Sequence, residues 1–176
     1  MNIRVAILND AEAIAAIYAP IVSDTAISFE LEPGGTEEMR GRIRDTIAMY
    51  PWLVSVDRSG AVDGYAYASR HRERAAYRWS VDTSAYVRQD SRGQGVGKRL
   101  YRELLAELVR LGYCEAFAGI ALPNAGSVAL HRSMEFEHIG TYRRVGFKHG
   151  TWHDVSWWQR PLRVVETPAP PITFGG

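Results

Sequence analysis

Between Tyr77 and Gly112 a strand-like run, a glycine-rich turn and a long amphipathic helix follow one another without a break. Trp79, Val81, Thr83, Tyr86 and Val87 are aromatic and β-branched residues suited to a pleated, half-buried surface, so Tyr77–Val87 reads as a strand. Arg92-Gly93-Gln94-Gly95-Val96-Gly97 ends it. Val96, Leu100, Leu104, Leu108 and Leu111 then return at helical spacing as one apolar stripe, widened by Leu105, and Gly112 stops the helix. A strand that delivers a glycine turn to a helix N-terminus outlines an anion site. The first helical N–H groups have no intrahelical partner, the peptide dipoles add about half a positive charge, and glycine lets an anion approach the backbone closely. Lys98 and Arg99 add full charges beside it, so phosphate binding is the natural use.

The other periodicities set this unit in a mixed α/β chain. Ile3–Leu8 alternates as a strand, with Asp10 positioned to cap a helix carrying Ile14, Ile17, Tyr18 and Ile21. Pro33-Gly34-Gly35 breaks the chain, and Thr36 is the expected cap of a second helix running to about Met49. Trp52–Val56 and Val62–Ala68 flank Arg58-Ser59-Gly60 as a hairpin. Cys114–Ile120 is a short buried strand, and Asn124 starts a helix with Val128, Leu130 and Met134. Two strands, about His138–Val145 and Trp152–Gln159, close the fold. The order β-α-α-β-β-β-α-β-α-β-β predicts one α/β domain over residues 1–162, a mixed sheet flanked by helices on both faces. The Pro/Gly-rich tail, residues 163–176, is expected to be a mobile extension with no packing role.

Charge excludes some partners. The 21 Lys and Arg against 20 Asp and Glu leave a net charge of +1, no basis for a general nucleic-acid or membrane binder. No stretch of 18 apolar residues occurs, and Met1-Asn2-Ile3-Arg4 does not open a signal peptide, so a cytoplasmic location is expected. Cys114 has no disulfide partner and is expected to be a buried thiol. The positive charge is local. Arg88, Arg92, Lys98, Arg99 and Arg102 form one cluster, and Arg70, His71, Arg72, Arg74 and Arg78 another, which suits anionic small molecules. His149 and His153 would align on a helix as metal ligands, but Gly150 and the aromatic run favour turn and strand, so no metal is expected. The five tryptophans, Trp52, Trp79, Trp152, Trp157 and Trp158, read as core or dimer-face residues.

Two nucleotide fingerprints fail on residues. Gly93, Gly95 and Gly97 are each two apart, so G-x-G-x-x-G is not met; Arg92 and Arg99 stand where a P-loop needs glycine and Ser/Thr. The pattern [RQ]-x-x-G-x-[GA] is met by Arg92, Gly95 and Gly97, and in its strand–loop–helix setting it resembles the acyl-CoA pyrophosphate loop of the GCN5-related N-acetyltransferase (GNAT) superfamily. Tyr77-Arg78-Trp79-Ser80-Val81, Leu122-Pro123-Asn124, Ser127-Val128-Ala129-Leu130-His131 and the run from Gly146 to Arg160 resemble phosphinothricin N-acetyltransferases and related bacterial amino-acid acyltransferases. The resemblance extends from about Ile3 to Leu162.

That resemblance implies a GNAT fold, acetyl-CoA as co-substrate, a homodimer, and direct attack of a free α-amine on the thioester. It sets Ala85, Tyr86 and Val87 along the pantetheine arm, Arg92, Gly93, Gln94, Gly95, Val96, Gly97 and Lys98 around the pyrophosphate, and Asn124 against CoA. The family's base is a glutamate, and Asp82, one methylene shorter, stands in its place. His131 matches a histidine near the reacting centre, and Arg72, Arg74 and Tyr77 fall where basic and tyrosyl residues face the acceptor. Glu135-Phe136 departs from the family's glycine before the aromatic. The chemistry needs a base for the α-ammonium, a donor for the thioester oxygen (a backbone N–H near Val87) and help for the departing thiolate. The expected acceptor is phosphinothricin or a small amino acid of the methionine sulfone or sulfoximine type. Arg72 and Arg74 repel a polycation. Another amine, or a non-catalytic acyl-CoA sensor, are the alternatives.

Overall fold

In the computed structural model, which describes residues 2–175, the elements follow in the expected order. They are β1 (Asn2–Val5), α1 (Ala11–Asp24), α2 (Thr36–Ile47), β2 (Trp52–Val56), β3 (Val62–Arg70), β4 (Ser80–Val87), α3 (Val96–Leu111), β5 (Glu115–Ala121), α4 (Ala125–Ser133), β6 (Glu137–Lys148) and β7 (Thr151–Pro161). Every stripe residue of α3 is buried, and Tyr101 joins them. Gly112 closes the helix in the left-handed conformation, φ 95°. At Gly64 an added Cβ would stand 3.0 Å from Val96 and 3.2 Å from Leu100, so the missing side chain lets α3 lie directly on β3. One core is built from α3, α4 and one face of the sheet, and a second from α1, α2 and the other face.

The seven strands form a single sheet in the order β1-β2-β3-β4-β5-β7-β6. Only β4–β5 is parallel, and it pairs for three residues: Ser80 with Glu115, Val81 with Ala116 and Asp82 with Phe117. Past that point Thr83–Val87 stays bonded to β3, while β5 stays with β7. The sheet therefore opens into a wedge just beyond Asp82 and Phe117. Arg88 N–H donates to Asp63 O across to β3. By strand alternation the N–H groups of Ala85 and Val87 face the opposite way, into the wedge.

Several sequence expectations are corrected. Asp10 stands at the N-cap position of α1 but makes no capping bond; its carboxylate takes a bidentate pair from Arg4 at 2.7 and 2.8 Å and the Ile7 N–H at 2.8 Å. Gly35, not Thr36, precedes the first turn of α2, which ends at Ile47. Ala75–Tyr77 is a 3₁₀ turn, so β4 starts only at Ser80. Cys114 is half-buried rather than sealed in the core. The tail does pack. Trp79 Nε1 donates to Ala169 O at 2.8 Å. Ile172 N–H reaches Leu111 O at 2.8 Å, and Phe174 rests on the α3 core. The 24–36 connection is also tied down. Lys148, almost fully buried, donates to Val22 O at 2.5 Å and Ser28 O at 2.8 Å, and burial pushes its ammonium pKa down.

Candidate active site

The wedge leads into a cleft of about 540 Å³ between β4, the glycine turn and the start of α4, with Ile21 and Ile27 on its far wall. Gly93 (φ 74°) and Gly95 (φ 78°) take left-handed conformations that bring the chain round to the first turn of α3. A Cβ added at Gly93 would meet no protein atom within 4 Å, so the approach is open. Ala85, Tyr86, Val87, Arg92, Gly93, Gly95, Val96, Gly97, Lys98 and Asn124 all line this space. Gln94 does not: its side chain turns back to donate to Asp90 O at 2.9 Å. Arg92 Nε donates to Val87 O at 3.2 Å, fastening the loop to the end of β4. Asn124 caps α4 by accepting from Ser127 N–H at 3.1 Å. The cleft is thus a long trough with orphan helical N–H groups and a lysine at one end and free strand N–H groups along its wall. An extended, phosphate-bearing thioester fits that donor set.

At the inner end a small pocket is lined by Thr83, Tyr101, Ser127 and His131. His131 is 5% exposed. Its Nδ1 meets Ser127 O at 2.7 Å and its Nε2 meets the Tyr101 hydroxyl at 2.8 Å. A carbonyl only accepts, so Nδ1 carries the proton and Tyr101 donates to Nε2. Burial pushes the His131 pKa down, offset in part by the Ser127 carbonyl. Both ring nitrogens are therefore committed on a neutral imidazole.

Asp82 lies on the opposite face of β4 from Thr83. Its Oδ1 is 2.6 Å from His71 Nδ1. The His71 ring stacks on Phe117 with centroids 4.2 Å apart and planes 15° apart, and meets Tyr77 and Trp157 edge-on. Burial pushes the Asp82 carboxyl up, offset in part by the His71 hydrogen bond and the charges of His71 and Arg72. The Arg72 guanidinium lies 5.8 Å from the Trp157 ring and donates to His71 O at 2.8 Å. The Trp157 indole N–H is buried there without a partner among the described residues. Arg72 and Tyr77 thus stand close to the Asp82–His71 pair. Arg74 does not: it is exposed, and its side chain makes no hydrogen bond, ion pair or ring contact among the described residues.

Residues 3–157 match the acetyltransferase (GNAT) domain family. The chain belongs to that family. A phosphinothricin N-acetyltransferase of Streptomyces viridochromogenes is 37% identical over 171 residues, 97% of this chain and 91% of the relative. An L-methionine sulfoximine/L-methionine sulfone acetyltransferase of Pseudomonas aeruginosa is 36% identical over 163 residues, 92% of this chain and 94% of that one. Among solved structures, a GNAT phosphinothricin acetyltransferase from Sinorhizobium meliloti in complex with AcCoA superposes with a TM-score of 0.90 at 37% identity, over 98% of this chain and 97% of that one. The GNAT fold expected from the sequence is the fold present, and the chain is an acetyltransferase.

Within this GNAT site, sequence reasoning gave no role to His71, Tyr101 or Trp157. His71 counted only as one charge in a basic cluster; its contact with Asp82 depends on a β3–β4 register that spacing does not reveal. Tyr101 falls inside the α3 stripe, where an aromatic reads simply as core. Glu135 adopts φ 62° just past α4, the backbone a glycine would favour, and its carboxylate pairs with Arg160 at 2.8 Å. His149 sits at the β6–β7 turn and His153 on β7, each facing a different backbone carbonyl, of Thr25 and of Lys148.

Proposed function

We propose that the protein transfers acetyl from acetyl-CoA to the α-amine of phosphinothricin or of a small amino acid of the methionine sulfone or sulfoximine type. The observation that carries this reading is the Asp82–His71 pair at the apex of the wedge, with Arg72 and Tyr77 beside it on one sheet face and the phosphate-binding trough entering beyond it. Arg72 and Tyr77 supply one cation and one phenol for the carboxylate and the phosphinate or sulfone oxygens, where charge-assisted hydrogen bonds are strong. The names of the relatives from Streptomyces and Pseudomonas fit the same class of acceptor.

In the reaction the amine nitrogen attacks the thioester carbonyl directly. The C–N bond forms, the C–S bond breaks, and the thiolate leaves. The Asp82–His71 pair takes the proton that the α-ammonium must lose first. Ala85 or Val87 N–H, facing the wedge, donates to the oxygen that gains charge. His131 acts through Tyr101 and Ser127, holding the pocket wall, since neither of its nitrogens is free. Val96, Gly97 and Lys98 hold the pyrophosphate.

The same proposal includes a homodimer and a cytoplasmic location. β6 is a terminal strand whose Ile139, Tyr142, Val145 and Phe147 are each about half exposed, apolar surface that a second copy would cover. Among the described residues no helix is long and apolar enough to cross a membrane. The test is thiol release from acetyl-CoA with L-phosphinothricin, L-methionine sulfone and spermidine as separate acceptors. Turnover with the first two only is the expected result. Turnover with spermidine alone assigns another amine, and acetyl-CoA binding without any release makes the protein a sensor.

A further inference from the structure

We infer that His71, through Nε2, is the group that accepts the proton from the acceptor amine, and that Asp82 is the residue that positions it. The inference rests on the acetyltransferase reading above and assigns its proton to one atom.

Asp82 Oδ1 lies 2.6 Å from His71 Nδ1. An ionised carboxylate only accepts, so Nδ1 carries the hydrogen and Nε2 holds the free lone pair. The ring is fixed on three sides: Phe117 lies flat against it, and Tyr77 and Trp157 meet its edges. The side chain is only 11% exposed. Among the described residues Nε2 has no hydrogen-bond partner, and it is not one of the fully buried atoms left without one. The titratable and charged groups around the imidazole are Asp82 on β4, the Arg72 guanidinium, and Tyr77 on the 3₁₀ turn. From β5 and β7 the rings of Phe117 and Trp157 meet the imidazole.

Asp82 Oδ1 is already engaged by His71. Through His71 the accepting atom stands one imidazole ring farther from β4, beside Arg72 and Tyr77. Imidazole also suits the task. Histidine is the side chain most often used to move a proton in general acid–base catalysis, and its second ring nitrogen is the atom that accepts. The protons balance as follows. The α-ammonium gives one proton to Nε2, forming an imidazolium held by Asp82. The amine then attacks, and the second proton, lost as the amide forms, goes to the departing thiolate. The imidazolium returns its proton to water.

The experiment is the pH dependence of kcat/KM for acetyl-CoA with L-methionine sulfone, for the unaltered protein, His71→Gln, His71→Phe and Asp82→Ala. Acetyl-CoA binding and Tm confirm that each variant is folded. The inference expects His71→Gln to lose about 100-fold or more and to lose the acidic limb of the profile. His71→Phe keeps the stack on Phe117 and should lose as much, which a merely structural role would not require. Asp82→Ala should lose less than either and keep the limb, because a positioning carboxylate is removed at smaller cost than the base it orients. Near-normal rates in His71→Gln beside a collapsed Asp82→Ala would overturn it and make Asp82 the base. Imidazole ¹⁵N spectra of the unaltered protein decide independently of turnover. A His71 tautomer protonated at Nδ1 supports the inference, and one protonated at Nε2 overturns it. No turnover by the unaltered protein with any amino acid is a different failure, that of the functional reading itself.

Discussion

Replacing Tyr101 with phenylalanine removes one oxygen from the most enclosed polar contact of the site. The hydroxyl is fully buried and donates to His131 Nε2 at 2.8 Å, while the next oxygen, Thr83 Oγ1, is 3.4 Å away. The phenylalanine ring keeps the edge contacts with His131 and Phe136, so the loss is that of the hydrogen bond and not of packing. Leaving a buried acceptor without its donor costs about 1–3 kcal/mol. For a chain of this size each kcal/mol moves Tm by about 2–4 °C, so thermal unfolding should shift down by about 2–12 °C. His131→Leu strands the other half of the same bond. The double variant should therefore cost less than the two single losses added together, by about 1–2 kcal/mol. Calorimetric melts of the four proteins measure this directly. Single losses that add to within about 0.5 kcal/mol would show that the two groups are not coupled, and would refute the assigned tautomer and the positioning role.

Three further outcomes are expected. Burial holds folded His131 below the ordinary histidine value, so the unfolded chain binds more protons in the window between the two. Stability should fall as pH drops through about 6.5, and urea titrations should show this slope flattened in His131→Leu. Arg72→Met removes a charge-assisted bond of about 1.5–3 kcal/mol to the acceptor, which should raise the KM for L-methionine sulfone by about 10–100-fold and leave that for acetyl-CoA unchanged. Deleting residues 163–176 uncovers the half-buried Phe174 contact and breaks the bonds at Leu111, Met49 and Trp79, at a cost of about 1–2 kcal/mol or a fall in Tm of about 2–8 °C. An unchanged melt would mean that the tail does not dock.

What the sequence made legible was mostly local. The α3 stripe and Gly112 fixed a helix end to end because period, glycine and burial all agree. Trp52–Val56 matched a strand to the residue. Tyr77 and Trp79 have strand propensity but belong to a turn and its exit, and Trp79 spends its indole N–H on the tail. Propensity of this kind reports fit to a surface rather than pairing. The tail's prolines announced irregular backbone correctly, yet Ile172 and Phe174 are apolar residues with a core beneath them. At the site, the positions of Ala85, Tyr86, Val87 and the turn glycines on the cleft wall were legible, because strand and helix order set them. His71 was not, because β3 runs on to Arg70 and only the folded hairpin carries the next residue to Asp82.

The account stands most directly on simultaneous occupancy of the two arms of the wedge. Initial rates of thiol release should be measured over a matrix of acetyl-CoA and L-methionine sulfone concentrations. Saturation in both and intersecting double-reciprocal lines are predicted, because the amine must meet the thioester while both are bound. Parallel lines, the pattern of an acetylated enzyme, or no release at all would contradict it.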